Sequence, residues 1–365
     1  MSWRVRRLTT APELQAVASV WSELAEQHGH ATPFATHDWF ECCRIAAATP
    51  NVEVLQLEDA GVPVGLIPLH RRTTKLRGFP VRYLSLLDCP DSPFGDLIPA
   101  GGDRLLVATL LDHLATRSDW DILELGRLPI ESTTLKLFEG ELEGRLRCRR
   151  AGSEKSPYLA IDGTWQDFYG SRSQRFKKTI RNIQNRLARL GTITVEEHRT
   201  LDPQGRLLEE LIDLTGRSWK ADRGVAIATM PRMREFFSEL SRRAAQHGWL
   251  SLWLLRLDGR PIAMEYQLRA NGVAYALRAD YDLDYATASP GSSLNFEVAR
   301  ALFERGDVRE YHMGPGLNEY KMRWASGTHE TVRLHVHRPG LYPTLLHLLE
   351  TRAVPTARRL RERLR

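Results

Sequence analysis

The sequence predicts an α/β protein made of two similar halves, each a mixed, mainly antiparallel sheet flanked by helices, and three observations carry that prediction. The 365 residues suffice for two cores of roughly 150 residues each, an ordinary domain size. One order of elements occurs twice along the chain. The second occurrence contains a meander whose tight turns are Asp258-Gly259 and Asn271-Gly272, both strong hairpin signals.

The repeat starts with VEVLQLEDAGVPVGLIPLHRR at 52–72 and LSLWLLRLDGRPIAMEYQLRA at 250–270. Each is an alternating apolar strand, a turn with Asp and Gly, then Pro with a β-branched residue opening a second strand. Gly61-Val62-Pro63-Val64-Gly65 matches Gly259-Arg260-Pro261-Ile262-Ala263 in kind and place. Gly101 and Gly291 each precede an amphipathic helix, carrying Leu105, Leu106, Leu110, Leu111 and Leu114 in one case and Leu294, Val298, Ala301 and Leu302 in the other. Each helix leads to a short strand ending in glycine, Asp121 to Gly126 and Arg309 to Gly314. The predicted division is therefore a first domain at 1–150, a second at 151–335 and a tail at 336–365. The boundary is placed in the polar stretch AGSEKSP, Ala151 to Pro157, with the second domain starting on a strand from Tyr158 to Ile161.

Composition narrows the setting. No stretch approaches the ~20 apolar residues of a membrane span, which predicts a cytoplasmic protein. Cys42, Cys43, Cys89 and Cys148 lack any zinc or redox spacing and read as buried residues in a reducing compartment. A net charge of +6 permits an acidic ligand, nucleic acid or a lipid surface without selecting one.

A helix from about Gln174 to Leu190, with Gly191 as its predicted C-cap, aligns Phe176, Ile180, Ile183, Leu187 and Leu190 on one stripe. Its other face carries Arg172, Arg175, Lys177, Lys178, Arg181, Arg186 and Arg189, with no acid from 171 to 190. Such a face is either simply solvated or meets an anion: coenzyme phosphates, a lipid headgroup or RNA. The tail combines an apolar run, Leu341 to Leu349, with Arg358, Arg359, Arg361, Arg363 and Arg365. It reads either as a helix packed on the body or as an amphipathic basic helix on an anionic membrane.

The turn Ser289-Pro290-Gly291-Ser292-Ser293 feeds a helix start, where open N–H groups and the helix dipole suit a phosphate. A serine cap is the plain alternative. With the strand and Asn318-Glu319-Tyr320-Lys321-Met322-Arg323-Trp324 that follow, this order of elements resembles the GNAT acyltransferase fold. More closely, the region from Ser156 to Trp324 resembles acyltransferases of the cellulose-biosynthesis (CelD or BcsL) type, related to the FemAB aminoacyltransferases. The basic helix at 175–190, Ser289-Pro290-Gly291 and Tyr320-Lys321-x-x-Trp324 carry the resemblance. It implies tandem GNAT-like domains, with the second half catalytic.

In GNAT enzymes an amine attacks an acyl-CoA thioester directly, with no enzyme nucleophile. The resemblance implies that acyl-CoA, acetyl or longer, is the co-substrate, that no metal is needed, and that Gly291, Ser292 and Ser293 cradle the pyrophosphate. It implies Tyr320 as the acid for the leaving thiolate, with Glu265, Asp280 and His312 as candidate bases and Lys321 as a group that binds an acidic part of the substrate. Each has a plain structural reading: Glu265 facing solvent or pairing with Arg278, His312 in the core, Tyr320 as an interface aromatic, Lys321 on the surface. The spaced glycines of the usual GNAT phosphate loop are absent apart from Gly291. In the first half, Asp88-Cys-Pro-Asp-Ser-Pro-Phe-Gly-Asp96 stands where the phosphate turn belongs, and acids there repel an anion. The first domain is accordingly expected to serve the acceptor side. The expected acceptor is a small-molecule, sugar or lipid amine. Peripheral contact with an anionic membrane is expected through 172–189 or the tail, and nucleic acid is not expected. Two other readings stay open: an aminoacyltransferase using charged tRNA, and a non-catalytic subunit of an exopolysaccharide machine.

Overall fold

The computed structural model describes residues 3–27, 32–47, 51–89, 91–95, 104–143 and 145–353. The first half runs β1 (Trp3–Leu8), α1 (Ala11–Ala16), α2 (Ala18–Gln27), α3 (His37–Ala47), β2 (Val52–Asp59), β3 (Val62–Leu76), β4 (Phe79–Leu86), α4 (Arg104–Thr116), β5 (Ile122–Pro129), α5 (Thr133–Leu142) and β6 (Arg147–Ala160). The second runs α6 (Trp165–Ser171), α7 (Gln174–Ala188), β7 (Ile193–His198), α8 (Arg206–Gly216), α9 (Trp219–Asp222), α10 (Pro231–Gln246), β8 (Leu250–Leu257), β9 (Arg260–Ala270), β10 (Val273–Tyr281), α11 (Pro290–Arg305), β11 (Glu310–His312), α12 (Glu319–Met322) and β12 (Gly327–His337), followed by α13 (Leu341–Leu348).

These strands form one sheet in the order β1-β2-β3-β4-β5-β12-β6-β11-β10-β9-β8-β7. Read from either edge, the series is the same: four antiparallel strands, a parallel step from β4 to β5 or from β10 to β11, then an antiparallel strand. The expected α/β fold with two similar halves is what the chain adopts. One feature was not expected. The strand that ends each half is exchanged: β6 leaves the first half to pair with β11, and β12 leaves the second to pair with β5. The two exchanged strands then pair with each other, from Gly327 opposite Tyr158 to His337 opposite Arg147.

Two expectations need correction. Ala151 to Pro157 is not a turn-rich linker but the middle of β6. Its backbone groups are bonded to β12, and its side chains are largely solvated, so the segment shows polar residues without apolar alternation. Gly191 is not the C-cap of α7, which ends at Ala188 with Arg189 right-handed at the cap. Gly191 is small for another reason: a Cβ there would lie 2.7 Å from Cγ of Asp258. The Asp258 carboxylate accepts the Thr192 N–H at 2.8 Å and so ties the exit of α7 to the β8–β9 turn. Gly101 and the arginines from 358 to 365 lie outside the described residues.

Period-two alternation sends alternate strand residues to opposite faces. On one face, α1–α3 and α8 and α10 share a single core that spans both halves, with Trp39 against Phe236 at 5.8 Å. The opposite face is split. α4 and α5 cover the first half, and α6, α7 and α11 cover the second, where Ile180, Ile183 and Leu187 of α7 are buried as the stripe predicts.

Because β12 belongs to the core of the first half while its chain belongs to the second, Leu334→Ala, at a fully buried site, is expected to cost about 3 kcal/mol. Denaturant unfolding should remain one transition by both fluorescence and circular dichroism. Two separated transitions would show that the halves fold independently.

Candidate active site

β10 and β11 stay in register only from Val273–Tyr275 against Glu310–His312. Beyond that point a bulge between Ala276 and Arg278 bends β10, as an extra residue in one strand does, while β11 ends and the chain turns through Gly314. The strands splay, and the wedge between them is a cleft of about 560 Å³. Ala276–Tyr281 of β10 line one side and Met313–Pro315 the other. Tyr320 and Lys321 of α12, Gly291 and Asn295 of α11, and Trp219 and Lys220 of α9 also line it.

Glu265, on β9, lines the cleft and is buried. Its Oε1 accepts the Tyr311 hydroxyl at 2.6 Å and the Gln267 amide at 2.7 Å. Burial pushes its carboxyl above the usual range, against the pull of those two bonds and of Lys321. Tyr311 in turn accepts from the Asn295 amide at 3.1 Å, so a hydrogen-bonded chain links α11, β11 and β9. Lys321 is also buried, and its Nζ donates to the carbonyls of Gly314 at 3.2 Å and Pro315 at 2.8 Å. Burial lowers its amine to about 8, opposed by the Glu265 carboxylate and assisted by the Lys220 charge. Tyr320 is part-exposed, and its phenol is pushed up by burial on the cleft side, beside Glu265 and Asp280.

Asp280 lines the cleft but is held in place. Its carboxylate accepts from Arg278 Nε at 3.0 Å and pairs with Lys220 Nζ at 3.1 Å. Gly291 and Ser292 line the cleft at the start of α11, whose N-cap Ser289 is left-handed at φ 57° and makes no side-chain cap. The Ser292 and Ser293 N–H groups turn back to the Ser289 carbonyl at 3.1 and 3.3 Å, and Pro290 has none. A Cβ at Gly291 would sit 3.3 Å from the Tyr281 ring.

Two expected residues are not in the cleft. The Ser293 side chain is buried in the helix packing. His312 points to the opposite face of the sheet from Tyr311 and stacks among Phe94, Tyr275 and His329. It is fully buried, with its imidazole pKa lowered to about 3 by burial and by His329 and Lys321, and its Nδ1 accepts the Gly314 N–H at 3.3 Å. A neutral ring enclosed in this way has no path to a substrate in the cleft.

The matching wedge of the first half, between β4 and β5, is closed. Gly95 donates its N–H to the Arg127 carbonyl at 3.0 Å, and a Cβ on Gly95 would lie 2.5 Å from the Gly126 oxygen. The Arg127 guanidinium donates to the Cys89 carbonyl at 3.0 Å. Asp96 lies outside the described residues, and the other two acids of this loop do not face an empty phosphate turn. Asp88 is enclosed, its carboxyl raised by burial, and Asp91 crosses to the second half, where it lines the open cleft 3.6 Å from Arg278. Among the described residues no group of three or more His, Cys, Asp or Glu is arranged to hold a metal.

Residues 174–322 match the family model of the acetyltransferase (GNAT) domain. This segment is a GNAT acyltransferase domain. It contains β7–β11, the open wedge and every cleft group named above except Asp91. Among curated proteins none matches the chain. Among solved structures, the C-terminal DUF2156 domain described as that of a lysylphosphatidylglycerol synthetase from Agrobacterium fabrum superposes at TM-score 0.56 with 13% identity, covering 92% of this chain and 97% of that one. FemX gives TM-score 0.56 at 11% identity, covering 95% and 100%. L-PGS from Bacillus licheniformis gives 0.56 at 12%, covering 94% and 96%. At these identities the likeness is one of fold, and it extends over both halves.

The opposed charges at Glu265 and Lys321 can be measured separately from any activity. Competitive labelling with acetic anhydride across pH, read by peptide mass spectrometry, should give Lys321 an apparent pKa of about 8. Glu265→Gln removes the carboxylate that favours the charged amine and should move that value lower. An ordinary lysine value in the native protein would contradict the buried setting.

Proposed function

We propose that the chain is an acyl-CoA-dependent N-acyltransferase acting in the cytoplasm, with its reaction in the β10–β11 wedge. The observation that carries this reading is the contrast between two copies of one fold: among the described residues the wedge is open in the half that bears Glu265, Tyr320 and Lys321 at its walls and filled in the other. An elongated thioester fits between splayed strands, with its pyrophosphate at the start of α11 beside Gly291 and Ser292.

In the proposed reaction the acceptor amine forms a bond to the thioester carbonyl carbon as the carbon–sulfur bond breaks. The amine's proton passes to Glu265 by way of the Tyr311 hydroxyl, and burial makes that carboxylate a stronger base than one in water. The Tyr320 hydroxyl supplies a proton to the leaving thiolate. Lys321 in its charged form stabilises the carbonyl oxygen and anchors the Gly314–Pro315 loop. Asp280 holds Lys220 and Arg278 in the wall and transfers no proton. An amino sugar of an envelope polysaccharide and a long-chain lipid amine are the acceptor classes to test first, and Asp91, brought from the first half, is suited to an ammonium.

A second reading is favoured by one observation. None of the seven cations at 172–189 is in an ion pair among the described residues, although Arg186 bonds the Thr287 carbonyl and Lys177 the Gly170 carbonyl. An aminoacyltransferase with an RNA-borne donor would use such a face.

Thermal stabilisation across a chain-length series of acyl-CoAs, with free CoA and charged tRNA alongside, separates the two. Specific acyl-CoA binding at a hundredfold excess over Kd should add about 2.7 kcal/mol of stability. Gly291→Asp, which crowds Tyr281 and sets a carboxylate at the pyrophosphate seat, should abolish that gain. Stabilisation by charged tRNA with none by any acyl-CoA would replace this proposal with the second reading.

A further inference from the structure

α13 is apolar on both sides. Leu346, fully buried, and Pro343 face inward, where Leu346 packs on Val81, Tyr83 and Ile122. The outward side is apolar as well: Leu341 is 94% exposed, Tyr342 36%, Leu345 43% and Leu348 39%. A helix that is hydrophobic all round is normally enclosed, yet this one lies on the surface. Tyr342 donates its hydroxyl to the Pro80 carbonyl at 2.6 Å, which joins the helix to the tip of the β3–β4 hairpin and adds Phe79, 40% exposed, to the same patch.

The rim of this patch is cationic. Arg338 donates to the Trp120 carbonyl at 2.8 Å, and Arg147 to the Thr344 hydroxyl at 3.2 Å. Lys75 and Arg77 are exposed at the hairpin tip. None of these four is in an ion pair among the described residues, whereas Arg71, Arg72 and Arg82, further along the hairpin, are paired with Asp119, Glu124 and Asp121. Glu350, just beyond α13, is buried beneath Arg149, His335 and His337 and does not offset the rim.

We propose that the outward face of α13 and the β3–β4 hairpin tip form a docking surface for an anionic lipid membrane. Apolar side chains ringed by cations match an interface with acyl chains below and phosphates at its margin. Arginine and lysine reach those phosphates while their stems cover apolar surface. A second copy of the chain is the poorer occupant, because a two-fold contact through this face would set Lys75, Arg77, Arg147 and Arg338 against themselves. Among the described residues no helix is long and apolar enough to cross a membrane, so the contact is with the surface only. The inference does not depend on the acyl donor proposed above.

The test is flotation of the full chain with vesicles of phosphatidylcholine containing phosphatidylglycerol, and with phosphatidylcholine alone. Binding is expected to the anionic vesicles and to weaken with salt. The double variant Leu345→Asp/Leu348→Asp changes only exposed positions and should bind at least about tenfold more weakly, with an unchanged Tm and unchanged stabilisation by acyl-CoA. Lys75→Glu/Arg77→Glu should weaken binding chiefly at low salt. No binding to anionic vesicles, equal binding to neutral ones, or undiminished binding by the leucine variant would overturn the proposal. So would a dimer in analytical ultracentrifugation that the leucine variant abolishes without any vesicle binding.

Discussion

The structure depends on the pairing of β6 with β12 at the centre of the sheet. Each strand is supplied by one half and completes the other, so neither half has a full set of strands without its neighbour. The consequence reaches the cleft directly. The loop that forms its far wall is held by the first half's strand: Met313 donates its N–H to the Pro157 carbonyl at 2.9 Å, and Gly316 to the Lys155 carbonyl at 3.0 Å. The wall against which a thioester would lie is thus positioned by residues that the sequence alone marked as a linker.

Duplication gives two equivalent wedges, and the described part of the loop after β4 fills the first of them. In the first half that loop folds back onto Gly126 and Arg127, which requires Gly95 at the point of contact. In the second half the corresponding segment climbs away from β11 into α11 and leaves the wedge open. Filling the first wedge also sends Asp91 across the molecule. There it joins Arg278, Asp280 and Lys220 in a buried cluster where two acids meet two cations. Removing any one member would leave a charge unpaired in a poorly solvated place, which is far more costly than losing a surface ion pair.

The hairpins were legible because their period-two alternation and Asp-Gly and Asn-Gly turns are local signals. α11 and its glycine turn were legible for the same reason. Glu265, Asp280, Gly291, Ser292, Tyr320 and Lys321 converge on one cleft although 56 positions of sequence separate Glu265 from Lys321. The exchange left no local trace at β6, since a strand bonded to its neighbours but largely solvated over 151–155 shows polar residues like a loop. His312 was singled out where Tyr311 reaches the cleft, and the difference is one of strand parity: adjacent residues of β11 face opposite sides of the sheet. The apolar partner at Met313, two residues on and also in the cleft lining, was the available signal for the correct face. Asp91 and Lys220 carried no signal at all, because their place in the wall is set by the packing of the two halves.

Burial does two different things within the cleft. At Asp280 the flanking Arg278 and Lys220 are in direct contact with the carboxylate, and the cluster fixes the wall. At Glu265 and Lys321 no such neutralising partner is in contact. The acid rises and the amine falls, so the proton affinities of the two groups approach one another. Groups whose affinities converge exchange protons at little cost, whereas those held apart by strong ion pairs do not. The Tyr311 hydroxyl, bonded to Glu265 and to the Asn295 amide, extends the mobile group toward α11. In the proposed reaction, proton movement would therefore fall on the side of the wedge where α11, β9 and α12 meet, while the opposite wall, with Asp280 at its centre, would supply shape.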